Sequence, residues 1–224
     1  MATSNLTLLK TAFSSAADVN KALEMARYMK NHFAFFGIPK PQRSEMEKSF
    51  ISVHSKNTYT ELKQTLLALW EDPHREMQYT GLNLMIKSKL WEHEDSILLF
   101  EQLIQHKSWW DTVDLIAGRC VGPYFLQFPQ HRKIWIEKWL RSNNIWLNRT
   151  AMLFQLNYKK QTDEALLFHC AVSLSDSKEF FIQKAIGWAL RQYARTAPES
   201  VWQFVMNHNL KPLSRREALK HFSK

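Results

Sequence analysis

At 224 residues the chain can bury a sizeable core as one domain, and 45% hydrophobic with 23% charged residues excludes wholesale disorder. Lys plus Arg outnumber Asp plus Glu by 30 to 21, a net charge of +9 that points to a polyanionic partner, either nucleic acid or an anionic membrane surface. Five glycines and seven prolines leave few turn signals and favour helices, while Cys120 and Cys170 form no CxxC pair, which argues against a disulfide framework or a cysteine zinc site.

The N-terminal MATSNLTLLKTAF has neither the basic start nor the long apolar run of a secretion signal. No stretch approaches the roughly 18 apolar residues of a membrane span, so a soluble, cytoplasmic protein is expected. In TELKQTLLALW, Leu62, Leu66, Leu69 and Trp70 share one helical face, and Asp72-Pro73 reads as the cap and first residue of the next helix. DSILLFEQLIQH repeats the stripe with Leu99, Leu103 and Ile104. Within HKSWWDTVD, Ser108 reads as an N-cap that places Asp111 in a first turn, and Trp110 and Asp114 share a face four residues apart. Capping-box spacing recurs at Asp176 and Glu179, Thr196 and Glu199, and Ser214 and Glu217.

A weak internal repeat runs through REMQYTGLNLM, SWWDTVDLI, NIWLNRTAMLF and EFFIQKAIGWAL. Aligning Met77, Trp110, Leu147 and Ile182 gives gaps of 33, 37 and 35 residues. A polar residue follows each anchor: Gln78, Asp111, Asn148 and Gln183. A period near 35 with two helices per unit predicts an all-α, HEAT-like solenoid, one domain over residues 1–224, with an extended concave basic face. Successive repeats would carry Trp110, Asp114, Arg149 and Trp188 to a shared cleft. Taken alone, a tryptophan on a helix is more often core than site, Asp114 could be a solvated acid and Arg149 could pair with a carboxylate on the surface.

The segments MARYMKNHFAFFGIP, HKSWWDTVD, NIWLNRTAMLFQLNYK and SKEFFIQKAIGWALRQYA resemble the AlkD-like family of DNA alkylation repair glycosylases, from about Met25 to Leu219. The resemblance implies a HEAT-like helical fold and removal of alkylated purines from duplex DNA. It matches the family's catalytic aspartate to Asp114, its substrate-facing tryptophans to Trp110 and Trp188, its cleft arginine to Arg149 and an early tyrosine to Tyr28. With Tyr28, the residues Trp109, Lys178, Lys184, Arg191 and Arg215 are candidate contacts to substrate or DNA, and Arg195 and Arg216 are further basic residues for phosphate.

These residue types suit the reaction. Cleaving an N-glycosidic bond builds positive charge on the sugar, which a carboxylate can oppose while orienting water. Indole faces favour a cation and exclude water. A guanidinium at Arg149 could hold a phosphate and keep Asp114 ionised. Neither HExxH, EF-hand, P-loop nor GxGxxG occurs, and no lysine stands out as a Schiff-base nucleophile. The expectation is a monomeric, monofunctional enzyme without metal or cofactor that acts on double-stranded DNA containing cationic alkylated purines, in the cytoplasm as a nucleoid-associated activity. Two rival readings remain: a non-catalytic binder of distorted DNA, and a helical-repeat scaffold for acidic protein partners.

Overall fold

The computed structural model describes residues 2–220 and 222, and their secondary structure is helical apart from an isolated bridge between Ala34 and His74. The chain packs as two compact units, Met1–His93 and Glu94–Lys224.

The first unit contains α1 (Ala2–Ser15), α2 (Val19–Tyr28), α3 (Lys40–Met46), α4 (Lys48–His54), α5 (Tyr59–Glu71) and α6 (Arg75–Lys87). The stripe Leu62, Leu66, Leu69 and Trp70 is wholly buried on α5, against α6. Gly81 of α6 admits the Trp70 ring: a Cβ there would lie 3.2 Å from Trp70 Cζ3. Glu76 is fully buried, and its carboxylate accepts the backbone N–H groups of Phe36, Gly37 and Ile38 at 2.9–3.2 Å. Three donors compensate the desolvated charge and tie the loop after α2 to α6. Gly37 has φ +86, and any Cβ would collide with the Asp18 carbonyl oxygen at 2.1 Å.

The second unit contains α7 (Ser96–Gln105), α8 (Trp110–Ile116), α9 (Gly122–Gln127), α10 (Pro129–Leu140), α11 (Ile145–Leu153), α12 (Glu164–Ser173), α13 (Phe180–Tyr193), α14 (Pro198–Asn207) and α15 (Pro212–Leu219). Helices pair as α7 with α8, α10 with α11, α12 with α13 and α14 with α15, and the second helices pack side by side in the order α8, α11, α13, α15. This is a helical-repeat arrangement, as the sequence period predicts. Leu99, Leu103 and Ile104 are buried on α7. Cys120 and Cys170 are free buried thiols, and burial pushes both up to about 12, so they stay protonated and unreactive.

The polar residue after each repeat anchor has a structural reason. Asn148 Nδ2 donates to the carbonyls of Trp139, Leu140 and Ser142, and Gln78 Nε2 to those of Leu69, Trp70 and Asp72. The sequence offsets are identical. In both cases one amide satisfies the orphan carbonyls that end the preceding helix. Gln183 donates instead to the Ser177 carbonyl at 3.2 Å, in the loop between α12 and α13.

The helix starts differ from several expectations. Asp72 ends α5, with its Oδ1 accepting the His74 N–H at 2.9 Å, and Pro73 lies in the turn before α6. Ser108 is not the cap of α8: its hydroxyl donates to the Ile104 carbonyl at 2.6 Å, and α8 opens on Trp109. Asp111 is nonetheless in the first turn. None of the three proposed capping boxes forms. α13 opens after Glu179, while Pro198 and Pro212 occupy the first helical positions of α14 and α15, leaving Thr196 outside its helix and Ser214 inside. The capping box that does form joins Thr58 and Glu61 at the head of α5.

Replacing Asn148 with leucine keeps its branched shape but leaves those carbonyls without their donor. Stability to urea should fall by about 1–3 kcal/mol; an unchanged midpoint would show that water replaces the amide at no cost.

Candidate active site

α8 departs from the repeat at both ends. The other anchors lie two residues inside their helices, Met77 in α6, Leu147 in α11 and Ile182 in α13, but α8 begins on its anchor, Trp110. The two missing residues, Ser108 and Trp109, are unwound, and Lys107 before them has φ +51. After Ile116 the chain makes a π-helical segment, Ala117–Val121, before resuming as α9. The extra residue held in such a turn re-aims the side chains around it, and π-turns gather at functional sites. Asn157 Nδ2 and Tyr158 Oη pin the turn by donating to the carbonyls of Gly118 and Gly122 at 2.9 and 2.6 Å.

Between these irregularities sits Asp114, four residues after the anchor. The same register in the other repeats holds Gly81, Ala151 and Ile186, all buried and apolar. The aspartate is compensated by Arg149 of α11: Nε donates to Oδ1 at 2.7 Å and Nη2 to Oδ2 at 2.8 Å. Nη1 donates to the Phe181 carbonyl of α13. The pair is enclosed, with side-chain exposure of 5% for Arg149 and 13% for Asp114. Burial pushes the Asp114 carboxyl above its ordinary value, the bonds and charge of Arg149 oppose the rise, and the neighbouring Asp111 adds to it.

Aromatic rings close one side. Trp109, Trp146 and Phe181 are in mutual contact, with centroids 5.0–5.6 Å apart, and the Arg149 guanidinium lies 5.8 Å from the Phe181 centroid. They keep water from the guanidinium and fix its plane. Trp110 lies one turn before Asp114, half-buried, whereas the equivalent anchors Met77, Leu147 and Ile182 are at most 3% exposed. Trp188 is half-buried on α13, seven residues after Phe181, so both leave one side of that helix about 10 Å apart along its axis.

The structure therefore joins Asp114 to Arg149 and places Trp109 in the wall behind them. Arg149 is turned inward: its bonds are to the carboxylate and a backbone carbonyl, so its place is against the aspartate and not on a surface phosphate. Lys184 and Arg191 are also engaged internally. With Lys220 they bind the buried carboxylate of Glu217 at 2.6–3.0 Å. Against the upward push of burial, these bonds hold the Glu217 carboxyl down at about 2. Arg215 Nη1 donates to the Val205 carbonyl at the end of α14. Lys178 is exposed just ahead of α13, and Tyr28 is exposed at the end of α2 in the first unit. Sequence reasoning missed Trp146 and Phe181. Their signal was register: Trp146 precedes Arg149 by one turn, and Phe181 precedes Trp188 by two. Among the described residues no three His, Cys, Asp or Glu side chains cluster so as to hold a metal ion.

An all-helical repeat protein with a buried carboxylate–guanidinium pair set among tryptophans is the class that this fold and site define. The family model described as DNA alkylation repair enzyme matches residues 9–222, and the chain belongs to that family. A solved structure, a predicted DNA alkylation repair enzyme from Enterococcus faecalis, is 30% identical, covers 93% of this chain and 97% of its own, and superposes with a TM-score of 0.87. No curated protein matches the chain.

Replacing Arg149 with methionine preserves much of the side-chain bulk but strands the Asp114 charge. The variant should lose about 3–5 kcal/mol of stability, and the Asp114 carboxyl, followed by carbon NMR, should titrate at higher pH than in the wild type. An unchanged titration would show that Arg149 does not control the aspartate.

Proposed function

We propose that the chain is a monofunctional DNA glycosylase that hydrolyses the N-glycosidic bond of cationic alkylated purines in duplex DNA. The observation that carries this reading is the Asp114–Arg149 pair. Each carboxylate oxygen gives one lone pair to the guanidinium and keeps another. Those remaining lone pairs can face a sugar or a water while Arg149 favours the ionised form. An oriented, partly desolvated carboxylate opposes the charge of an oxocarbenium far better than a hydrated one. Trp110 and Trp188, half-buried where a repeat core or a solvated surface would place other residues, supply faces for a cation and exclude water.

One carboxylate in this role also favours a particular substrate. Glycosidases commonly protonate the leaving group with a second carboxyl group. Asp111 is the nearest other acid in sequence, and its buried place in the first turn of α8 gives it a helix-dipole role instead. A purine alkylated at ring N3 or N7 already carries positive charge and departs neutral without a proton. Release of 3-methyladenine and 7-methylguanine types follows, with little activity on uracil or 8-oxoguanine.

Incubation with methylated duplex should release free alkylated purine and leave an intact abasic strand, in the presence of EDTA. Asp114→Asn should slow release by orders of magnitude. Because that variant leaves Arg149 without its counter-charge, its folding is to be checked alongside. A well-folded Asp114→Asn protein with near wild-type release would remove the assignment, and salt-sensitive duplex binding with no release by the wild type would leave the binder.

The rate should also fall on acidification, because protonation of Asp114 removes the charge. Burial raises this carboxyl, so the acid limb should have its midpoint above the ordinary 3.8 of aspartate. A rate constant down to pH 4 would contradict the need for an ionised carboxylate in this environment.

A further inference from the structure

α11 and α13 pack side by side past the ion pair, and at their C-terminal ends they border a cavity of about 550 Å³. Arg149 meets Phe181, while Met152 and Ala189 further along both helices line the cavity, so the two helices run in the same direction. At about 1.5 Å per residue the cavity starts about 4.5 Å beyond Arg149 along α11 and about 12 Å beyond Phe181 along α13. Three cations, Lys159, Lys160 and Arg195, border it, and none of its lining residues is acidic. Among the described residues these three have no carboxylate partner, in contrast to Lys184, Arg191 and Lys220, which share Glu217.

The cationic turn is held in place. Lys159 has φ +54, a left-handed conformation that costs a non-glycine residue energy and persists only where its surroundings impose it. Tyr158, buried just before it, donates its hydroxyl to the Gly122 carbonyl at 2.6 Å. Gln155, also buried, exchanges two hydrogen bonds with the Asp163 backbone at 2.8 and 3.2 Å, closing the turn from the other side. Unpaired positive charge on a pre-formed turn beside a cavity is an arrangement for an anion.

We propose that this cavity binds backbone phosphate of the duplex that flanks the reacting nucleotide; the proposal rests on the reading of the Asp114 site as directed at DNA. The charge of the ligand separates a diester from a free phosphate. α11 and α13 both end here, so their dipoles present partial negative charge and oppose a dianion. A phosphodiester carries one charge, against three cations. Those axial distances correspond to about one to four base steps at 3.4 Å each.

The test is the salt dependence of duplex binding by the full chain, with undamaged and lesion-containing DNA. In the variant carrying Lys160→Gln and Arg195→Gln, the slope of log affinity against log salt should become shallower by about 0.9 for each phosphate that is no longer neutralised. Lys160→Arg with Arg195→Lys should restore it. A neutral methylphosphonate scanned over about one to four nucleotides from the lesion should, at one position, weaken the wild type and leave the neutralised variant unaffected. An unchanged slope, or equal weakening of both proteins by the methylphosphonate, overturns the proposal. So does a thermal shift with inorganic phosphate or a nucleoside monophosphate that the variant loses while its duplex slope is unchanged, which would make the cavity a small-molecule site. If the wild type releases no base but the slope changes as expected, the phosphate site stands and the glycosylase reading falls.

Discussion

A carboxylate taken out of water must be compensated, and the second unit is organised around that requirement at Asp114. The compensation is Arg149, bound through two parallel N–H bonds and itself anchored on the Phe181 carbonyl. A buried ion pair of this kind adds little to stability compared with an apolar pair of the same size. It does, however, create a charge of fixed orientation in a place that water reaches poorly. Trp109, Trp146 and Phe181 complete the enclosure, so three helices and the unwound start of α8 converge on one guanidinium.

A repeat protein can make such a site by local departure from its own rules. Three repeats hold Gly81, Ala151 and Ile186 where the fourth holds Asp114, and three bury an aliphatic anchor where the fourth half-exposes Trp110. The polar residue after the anchor is an amide in three repeats, and in two of them it caps the preceding helix; in the fourth it is Asp111, which as a carboxylate cannot donate to those carbonyls. There the preceding helix α7 takes a bond from the Ser108 hydroxyl, and α8 starts late. The regular repeats carry the packing, which frees one helix to be irregular.

The helical class, the repeat period and the buried stripes of α5 and α7 were legible because each is a regular pattern summed over many residues. The pairing of Asp114 with Arg149 was visible only as two residues of successive repeats, four and two positions after their anchors, and their bidentate geometry needed the fold. Direction was the harder matter. Arg149, Lys184 and Arg191 read from sequence as groups available to phosphate, yet all three face buried or partly buried carboxylates, because a partner 26, 33 or 35 residues away leaves no local mark. Capping failed for a related reason: Thr196 and Ser214 have the right spacing, but the prolines at 198 and 212 decide where those helices begin. The π-turn after Asp114 had no signal at all in hydrophobic periodicity, since it inserts one residue into an otherwise continuous helix.

The central claim is that the Asp114 carboxylate opposes positive charge on the sugar. It is tested most directly by comparing two duplexes that differ only at the reacting nucleotide: one with a cationic pyrrolidine in place of the sugar, the other with neutral tetrahydrofuran. A group that stabilises the transition state binds its charged analogue more tightly than the neutral one. The wild type should prefer the cationic duplex, and Asp114→Asn should lose that preference while binding the neutral duplex as before. Equal affinity of the wild type for both duplexes, or a preference that survives in Asp114→Asn, would contradict the account.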